Sequence, residues 1–242
     1  MDDKSSCYFE KKKGECIMKR IALSYPLGVD TPRFTDNPPV MIWPHSSTDK
    51  GDKFNQSFHM SVNHSGTHMD GANHFNPDGK QLWEYPIETF VYETVRVIDL
   101  EKQDDELITK QDLEPFEEII KEADLLIVRT GFYRYRSDAH RYGQHNPGFT
   151  QDAGEYFMTF ENLRAIGMDL PSAGGGQTME PHGVAFHQTV LGLGREDGRA
   201  ILLIEDMKLD EELTNIERVY ALPLLIKGID SGPCTILAEL SE

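Results

Sequence analysis

The chain reads as an α/β protein, and three observations carry that reading. Short continuous apolar runs recur at 95–98, 125–128, 164–170, 200–204, 219–226 and 235–240, the pattern of strands buried on both faces. Helical periodicity lies between several of them, so strands alternate with helices. The first third is rich in β patterns and turns, which argues against an ordinary doubly wound order.

Taken in order, residues 1–17 are polar and charged, and Met18 opens the first domain-like stretch, Met18-Lys19-Arg20-Ile21-Ala22-Leu23. We expect 1–17 to be a disordered N-terminal extension and 18–242 to form one domain. Residues 24–50 carry Pro26, Pro32, Pro38, Pro39 and Pro44 around Phe34 and Trp43. They read as a long irregular loop, either functional or an arm covering a sheet edge. Phe58, Met60 and Val62 alternate with Ser57, Ser61 and Asn63, which predicts a half-buried strand. Thr109, with Asp112 in the first turn, precedes Leu113, Phe116, Ile119 and Ile120 as a helix. Thr150 caps a second helix through Phe157 and Phe160. A third is expected from about His182 to Leu191.

Composition narrows the function. The formal net charge is −17, which disfavours nucleic acid and anionic membrane surfaces as partners. No apolar run approaches the ~20 residues of a membrane span, and the N-terminus has no signal-peptide core. Cys7, Cys16 and Cys234 form no paired framework, so a reducing, cytoplasmic setting is expected. Gly174-Gly175-Gly176 fits neither phosphate-loop spacing, and no nucleophile elbow is present.

The segment His64-Ser65-Gly66-Thr67-His68-Met69-Asp70-Gly71-Ala72-Asn73-His74-Phe75 concentrates the chemistry. His64, His68 and Asp70 offer two imidazoles and a carboxylate, the donor set of an open catalytic site for a divalent metal. In a straight strand His64 and His68 would stand roughly 13 Å apart. A helix would turn Asp70 about 200° away from His68. The chain must therefore bend between the histidines, and Gly66 permits the bend. His74 stands ready to move protons beside the metal. The competing reading is a polar loop that happens to be rich in histidine. Glu205 ends the apolar run 200–204, where a carboxylate is costly unless paired or bound to a cation. It either serves the metal or faces water beside Asp206. Six further histidines, His45, His59, His140, His145, His182 and His187, are available elsewhere.

The motif resembles the H-x-G-T-H-x-D-x-P-x-H-F signature of the metal-dependent cyclase-like hydrolases, which include kynurenine formamidases and isatin hydrolases. Leu23-Ser24-Tyr25-Pro26-Leu27, Arg129-Thr130-Gly131, Gly167-Met168-Asp169 with Pro171-Ser172, His187 with Leu191, Ile204-Glu205 and Leu222-Pro223-Leu224 resemble further landmarks. The resemblance implies a swivelling β/β/α domain with a mixed, partly barrel-like sheet, assembled as a homodimer or homotetramer with partner residues near the pocket. It implies that His64, His68 and Asp70 hold one ion, that Asp70 bridges to a second held by His187 and Glu205, and that His74 is the catalytic acid/base. Zinc is the first choice and manganese the second.

Two departures stand out. Asp70-Gly71-Ala72 replaces the usual Asp-Ala-Pro, which frees the loop that aims His74. The His187–Glu205 interval is longer than in the formamidases, which leaves His182 as the fallback ligand. The expected reaction is hydrolysis of an amide-like C–N bond in a small molecule. Phe34, Trp43, Phe132, Tyr133 and Tyr135 are candidates to line an aromatic pocket. A lactonase or dehydratase on the same metal, and a non-catalytic metal-dependent binding protein, are the alternatives.

Overall fold

A computed structural model describes residues 18–241; the expectation for 1–17 lies outside the described residues. The strands are β1 (Lys19–Ala22), β2 (Met41–Ser46), β3 (Gln56–Met60), β4 (His68–Asp70), β5 (Val91–Tyr92), β6 (Val95–Asp99), β7 (Leu107–Ile108), β8 (Leu125–Arg129), β9 (Gly148–Phe149), β10 (Ala165–Met168), β11 (Leu202–Glu205), β12 (Ile216–Pro223) and β13 (Ser231–Leu240). The helices are α1 (Lys110–Leu113), α2 (Glu117–Glu122), α3 (Ala139–Gln144), α4 (Gln151–Phe157) and α5 (Val184–Val190).

One mixed sheet organises the domain in the order β5-β12-β13-β4-β11-β10-β8-β6, with β1 also on β13. Strands β6, β8, β10 and β11 are parallel, while β4, β13, β12 and β5 continue the sheet by antiparallel pairing. The two ends of this order, β5 and β6, are separated in the chain only by Glu93 and Thr94. Their backbone N–H groups donate to the Asp124 carboxylate. The sheet therefore curls until it nearly closes into a barrel, as the family resemblance implied.

The period-2 alternation of strands divides the core in two. Leu125, Ile127, Ala165, Leu202, Ile204 and Met69 point into the barrel with Phe90, Tyr92 and Val219. Leu126, Val128, Ile166, Met168 and Leu203 point the other way, against Phe157, Phe186 and Val190 of the helical layer. The apolar runs were continuous because both faces of these strands are covered.

The helix expected after Thr109 has its capping box, with Asp112 accepting from the Thr109 N–H and hydroxyl. A tight turn, Glu114–Phe116, breaks it around Pro115 into α1 and α2. The half-buried strand expected over 57–63 is corrected: β3 spans Gln56–Met60 and is exposed throughout. It pairs in a hairpin with β2, which lies in the stretch 24–50 read as irregular loop, Trp43 facing Phe58 and Met41 facing Met60. The Trp43 and Phe58 rings stack at 5.7 Å. The alternation thus reflects cross-strand pairing on an arm and not one face against a core.

An ion pair between half-buried Arg136 and buried Asp206 joins two segments of the chain. Arg136 holds Asp206 through two 2.8 Å bonds while its guanidinium lies 3.8 Å over the Tyr25 ring. Tyr142 donates to the same carboxylate at 2.7 Å. The Asp206 carbonyl accepts from the Thr67 hydroxyl at 2.6 Å, so the residues beside His68 and Glu205 are tied together. Removing one partner of such a pair leaves an uncompensated buried charge. Arg136→Met is expected to cost about 3–5 kcal/mol, read from the denaturation midpoint, whereas a loss under about 1 kcal/mol would reduce the pair to a surface-like contribution.

Candidate metal centre

Strand β4 is three residues long, entirely buried, and hydrogen-bonded on both sides. Because Met69 points into the barrel, His68 and Asp70 both face the helical layer. On β11, Leu203 faces that layer too, so Glu205, two residues on, does the same. The register sets His68 opposite Glu205 and Asp70 opposite Leu203. Helix α5 packs on this face and brings in His187. The expected bend is at Gly66, whose φ of +65° returns His64 toward β4. Beyond β4, a tight turn over Ala72–His74, closed by the His74 N–H on the Gly71 carbonyl at 3.0 Å, folds His74 back over Asp70.

The five residues expected as ligands converge. His64 Nδ1 lies 2.9 Å from Asp70 Oδ1. His68 Nε2 is 3.5 Å from the same oxygen and 3.1 Å from Glu205 Oε2. His187 Nε2 is 3.5 Å from Glu205 Oε1. His74 Nε2 stands 4.0 Å from Asp70 Oδ2. Donor atoms of His64, His68 and Asp70 form one cluster within 4.8 Å of one another, and those of Asp70, His187 and Glu205 form another. Asp70 is common to both.

The fit to a divalent cation rests on the hydrogen bonds. His68 Nδ1 donates to the Gly66 carbonyl at 2.8 Å, and His187 Nδ1 to the Gly183 carbonyl at 2.7 Å. With Nδ1 committed to a carbonyl, each ring in its neutral form presents an Nε2 lone pair to the cluster, the usual outer arrangement of metal-binding histidine. His68 Nε2 and both Asp70 carboxylate oxygens are buried without a hydrogen-bond partner. Buried polar atoms without partners are rare and costly. Here they share one small space, which is what a cation would neutralise. Glu205 is steadied from outside by the Ala173 N–H at 2.7 Å.

Charge is concentrated here. Burial alone would lower the His64 pKa, but Asp70 and Asp230 outweigh it and push it up to about 10. Burial works against ionisation of Asp70 as well, yet the surrounding imidazoles hold it well below the usual carboxylate range. Glu205 is lowered in the same way by His187 and His68, against burial and against Asp70.

A cleft of about 330 Å³ opens on the cluster, lined by His64, His74, His187 and Glu205 together with Phe34, Asn37, Val62, Asn63, Phe75, Pro171, Ser172 and Met179. Of the expected pocket aromatics, Phe34 is on this lining. Trp43 is on the exposed hairpin, Phe132 is in the helix-side core, and Tyr133 and Tyr135 pack elsewhere. His187 joins the cluster and His182 does not. The interval between His187 and Glu205 runs through an exposed turn over 193–198, and both its ends are buried.

Asp230 was missed from sequence. It lies in the turn before β13 and meets His64, 166 positions away, at 2.9 Å and His74 at 3.0 Å. A single carboxylate after Gly228-Ile229 carries no spacing signal toward residues 64–74.

Residues 21–174 match the putative cyclase family. The chain belongs to that family. It is 27% identical over 218 residues to a kynurenine formamidase of Bacillus anthracis, covering 89% of this chain and 94% of that protein. It is 36% identical over 111 residues to an uncharacterised protein of Haemophilus influenzae, covering 45% and 78%. In fold it is similar to an isatin hydrolase solved with the product analogue thioisatinate, with a TM-score of 0.78 at 22% identity over 93% of each chain. Isatin hydrolase A of Labrenzia aggregata, solved with benzyl benzoate, gives 0.76 at 22% identity over 93% and 94%.

A pH dependence follows from the raised His64 pKa. At pH 8 the metal-free ring keeps its proton, so a cation binding there must displace it. Apparent affinity should rise with pH up to about 10. Titration calorimetry in buffers of different ionisation enthalpy should show proton release at pH 8, and none would put His64 outside the coordination sphere.

Proposed function

We propose that this protein is a metal-dependent hydrolase that cleaves an amide-like C–N bond, in a linear formamide or a cyclic amide, with water. The observation that carries this reading is the set of partnerless buried atoms, His68 Nε2 and both Asp70 oxygens, beneath a cleft that also exposes His74. The kynurenine formamidases and isatin hydrolases to which the chain is similar support the same substrate chemistry.

His64, His68 and Asp70 would hold one ion, and Asp70, His187 and Glu205 a second. Zinc suits these donors best, with manganese next. When bound, a divalent ion polarises a carbonyl and acidifies a water molecule. The chain's own contribution is placement and proton transfer. Phe34, Val62, Phe75 and Met179 give the cleft apolar walls that seat a small organic substrate beside the cluster. His74 takes a proton from the attacking water and returns it to the departing nitrogen. The water oxygen ends on the carbonyl carbon and the C–N bond breaks, giving an acid and an amine from a linear amide, or one ring-opened molecule carrying both groups from a cyclic one. Such acid/base assistance is worth about 10²–10⁴-fold.

Assembly as a homodimer or homotetramer belongs to the same proposal. The β2–β3 hairpin exposes Met41, Ile42, Trp43, Phe58 and Met60, an apolar patch of the kind that marks a protein interface. It is joined to the cleft wall through Val62 and Asn63. A cytoplasmic setting is proposed from the sparse cysteines; no helix among the described residues is long and apolar enough to cross a membrane.

Elemental analysis of protein purified without chelator should find one or two equivalents of metal, lost in His68→Ala and in Asp70→Ala. His74→Ala should keep the metal and lose about 10²–10⁴-fold in turnover of a formanilide or aryl lactam. No metal in wild type after zinc or manganese is supplied, or full turnover in His74→Ala, would defeat the respective assignment. By sedimentation, Trp43→Asp with Phe58→Asp should shift an oligomer toward monomer, and a monomeric wild type would remove the assembly reading.

A further inference from the structure

We infer that Asp230 is a positioning residue that yokes His64 and His74, fixing the proton of His74 on Nδ1 and leaving its Nε2 free to exchange protons on the cluster side. A single oxygen, Oδ2, sits 2.9 Å from His64 Nε2, 3.0 Å from His74 Nδ1 and 2.7 Å from the Ser231 hydroxyl. The other oxygen accepts from the Asn63 side-chain amide at 2.9 Å. An ionised carboxylate offers about four acceptor positions, two on each oxygen; three donors of this chain crowd onto Oδ2 and one takes Oδ1. The oxygen that faces both rings is thereby committed to donors of this chain, although His64, His74 and Asp230 cluster as closely as the other ligand sets. The carboxylate accepts and orients.

The two rings lie 4.0 Å apart between centroids and 32° from coplanar, side by side on one carboxylate. His64 has Asp70 on its other nitrogen, at 2.9 Å. His74, held by Nδ1, presents Nε2 toward Asp70 at 4.0 Å, beside the place where a water would be activated. This is the logic by which a carboxylate orients a catalytic imidazole and selects its tautomer in hydrolytic triads. The local sequence allows it. A Cβ at Gly71 would collide with the Asp230 carbonyl. The Asp230 turn thus seats against the motif only because glycine stands there, and Ser231 beside it pairs in register with Asp70.

For its kinetic arm this inference rests on the hydrolase reading; its spectroscopic arm does not. The test is ¹⁵N-imidazole NMR of the zinc-loaded protein, wild type and Asp230→Asn, with metal analysis and steady-state kinetics on the same samples. The wild-type His74 should carry its neutral proton on Nδ1, and Asp230→Asn should move it to Nε2. The variant should keep its zinc and lose about 10²–10⁴-fold in kcat, with KM changed less than about threefold. A wild-type proton on Nε2 overturns the inference even if the variant fails to fold. So does zinc lost in proportion to activity, which would make Asp230 a ligand, or an unchanged kcat. If wild type turns over no amide, the hydrolase reading fails while the tautomer still decides the role of Asp230.

Discussion

The structure depends on the pairing of β4 between β11 and β13. Three residues, His68-Met69-Asp70, fill the gap between the parallel half of the sheet and its antiparallel half. Without them the sheet would divide and the barrel would not curl shut. Because β4 is hydrogen-bonded on both edges, its register is fixed, and a slip by one residue would exchange Met69 for two charged groups in an apolar interior. Such an error is far too costly to be populated. The strand that holds the two halves together is therefore also the one that can present donor atoms with the least freedom.

Rigidity extends outward from that strand by short polar ties. Thr67 is bonded to the backbone of Asp206, and the Asp206 side chain is clamped by Arg136 and Tyr142. Asp169 accepts from the Thr130 N–H and hydroxyl at 2.7 and 2.8 Å, and so secures the loop after β8. These carboxylates are buried without belonging to the donor cluster. Each accepts three hydrogen bonds from the chain, whereas the oxygens of Asp70 make no well-directed one. That contrast separates a structural buried carboxylate from one held ready for a cation.

Much of this was legible in the sequence, and the limits have physical causes. The buried strands could be read because covering both faces makes a run continuously apolar. The bend at Gly66 could be read because two imidazoles on a straight strand are too far apart to share an ion. Gly71 was legible only as a departure, and its meaning required seeing the Asp230 carbonyl against it. The hairpin was misread because alternation along a chain cannot tell a core from a facing strand. Asp230 was out of reach because its relation to His64 exists only through the pairing of β13 with β4, and no local spacing encodes that pairing.

Crowding Asp70, Glu205 and Asp230 beside four imidazoles also ties folding to protonation. A depressed Asp70 pKa contributes stability above the ordinary value near 3.8, and this is lost as the pH falls through the folded value. The raised His64 pKa works the other way: its contribution is complete below about 6.5 and disappears as the pH climbs through about 10. The metal-free fold is thus best supported in the mildly acidic range between those limits. A cation reverses the balance at the alkaline end, because it binds the deprotonated donors and stabilises whichever state holds it. Proton and metal are alternative fillings of one cluster, and as the pH rises the fold exchanges the first for the second.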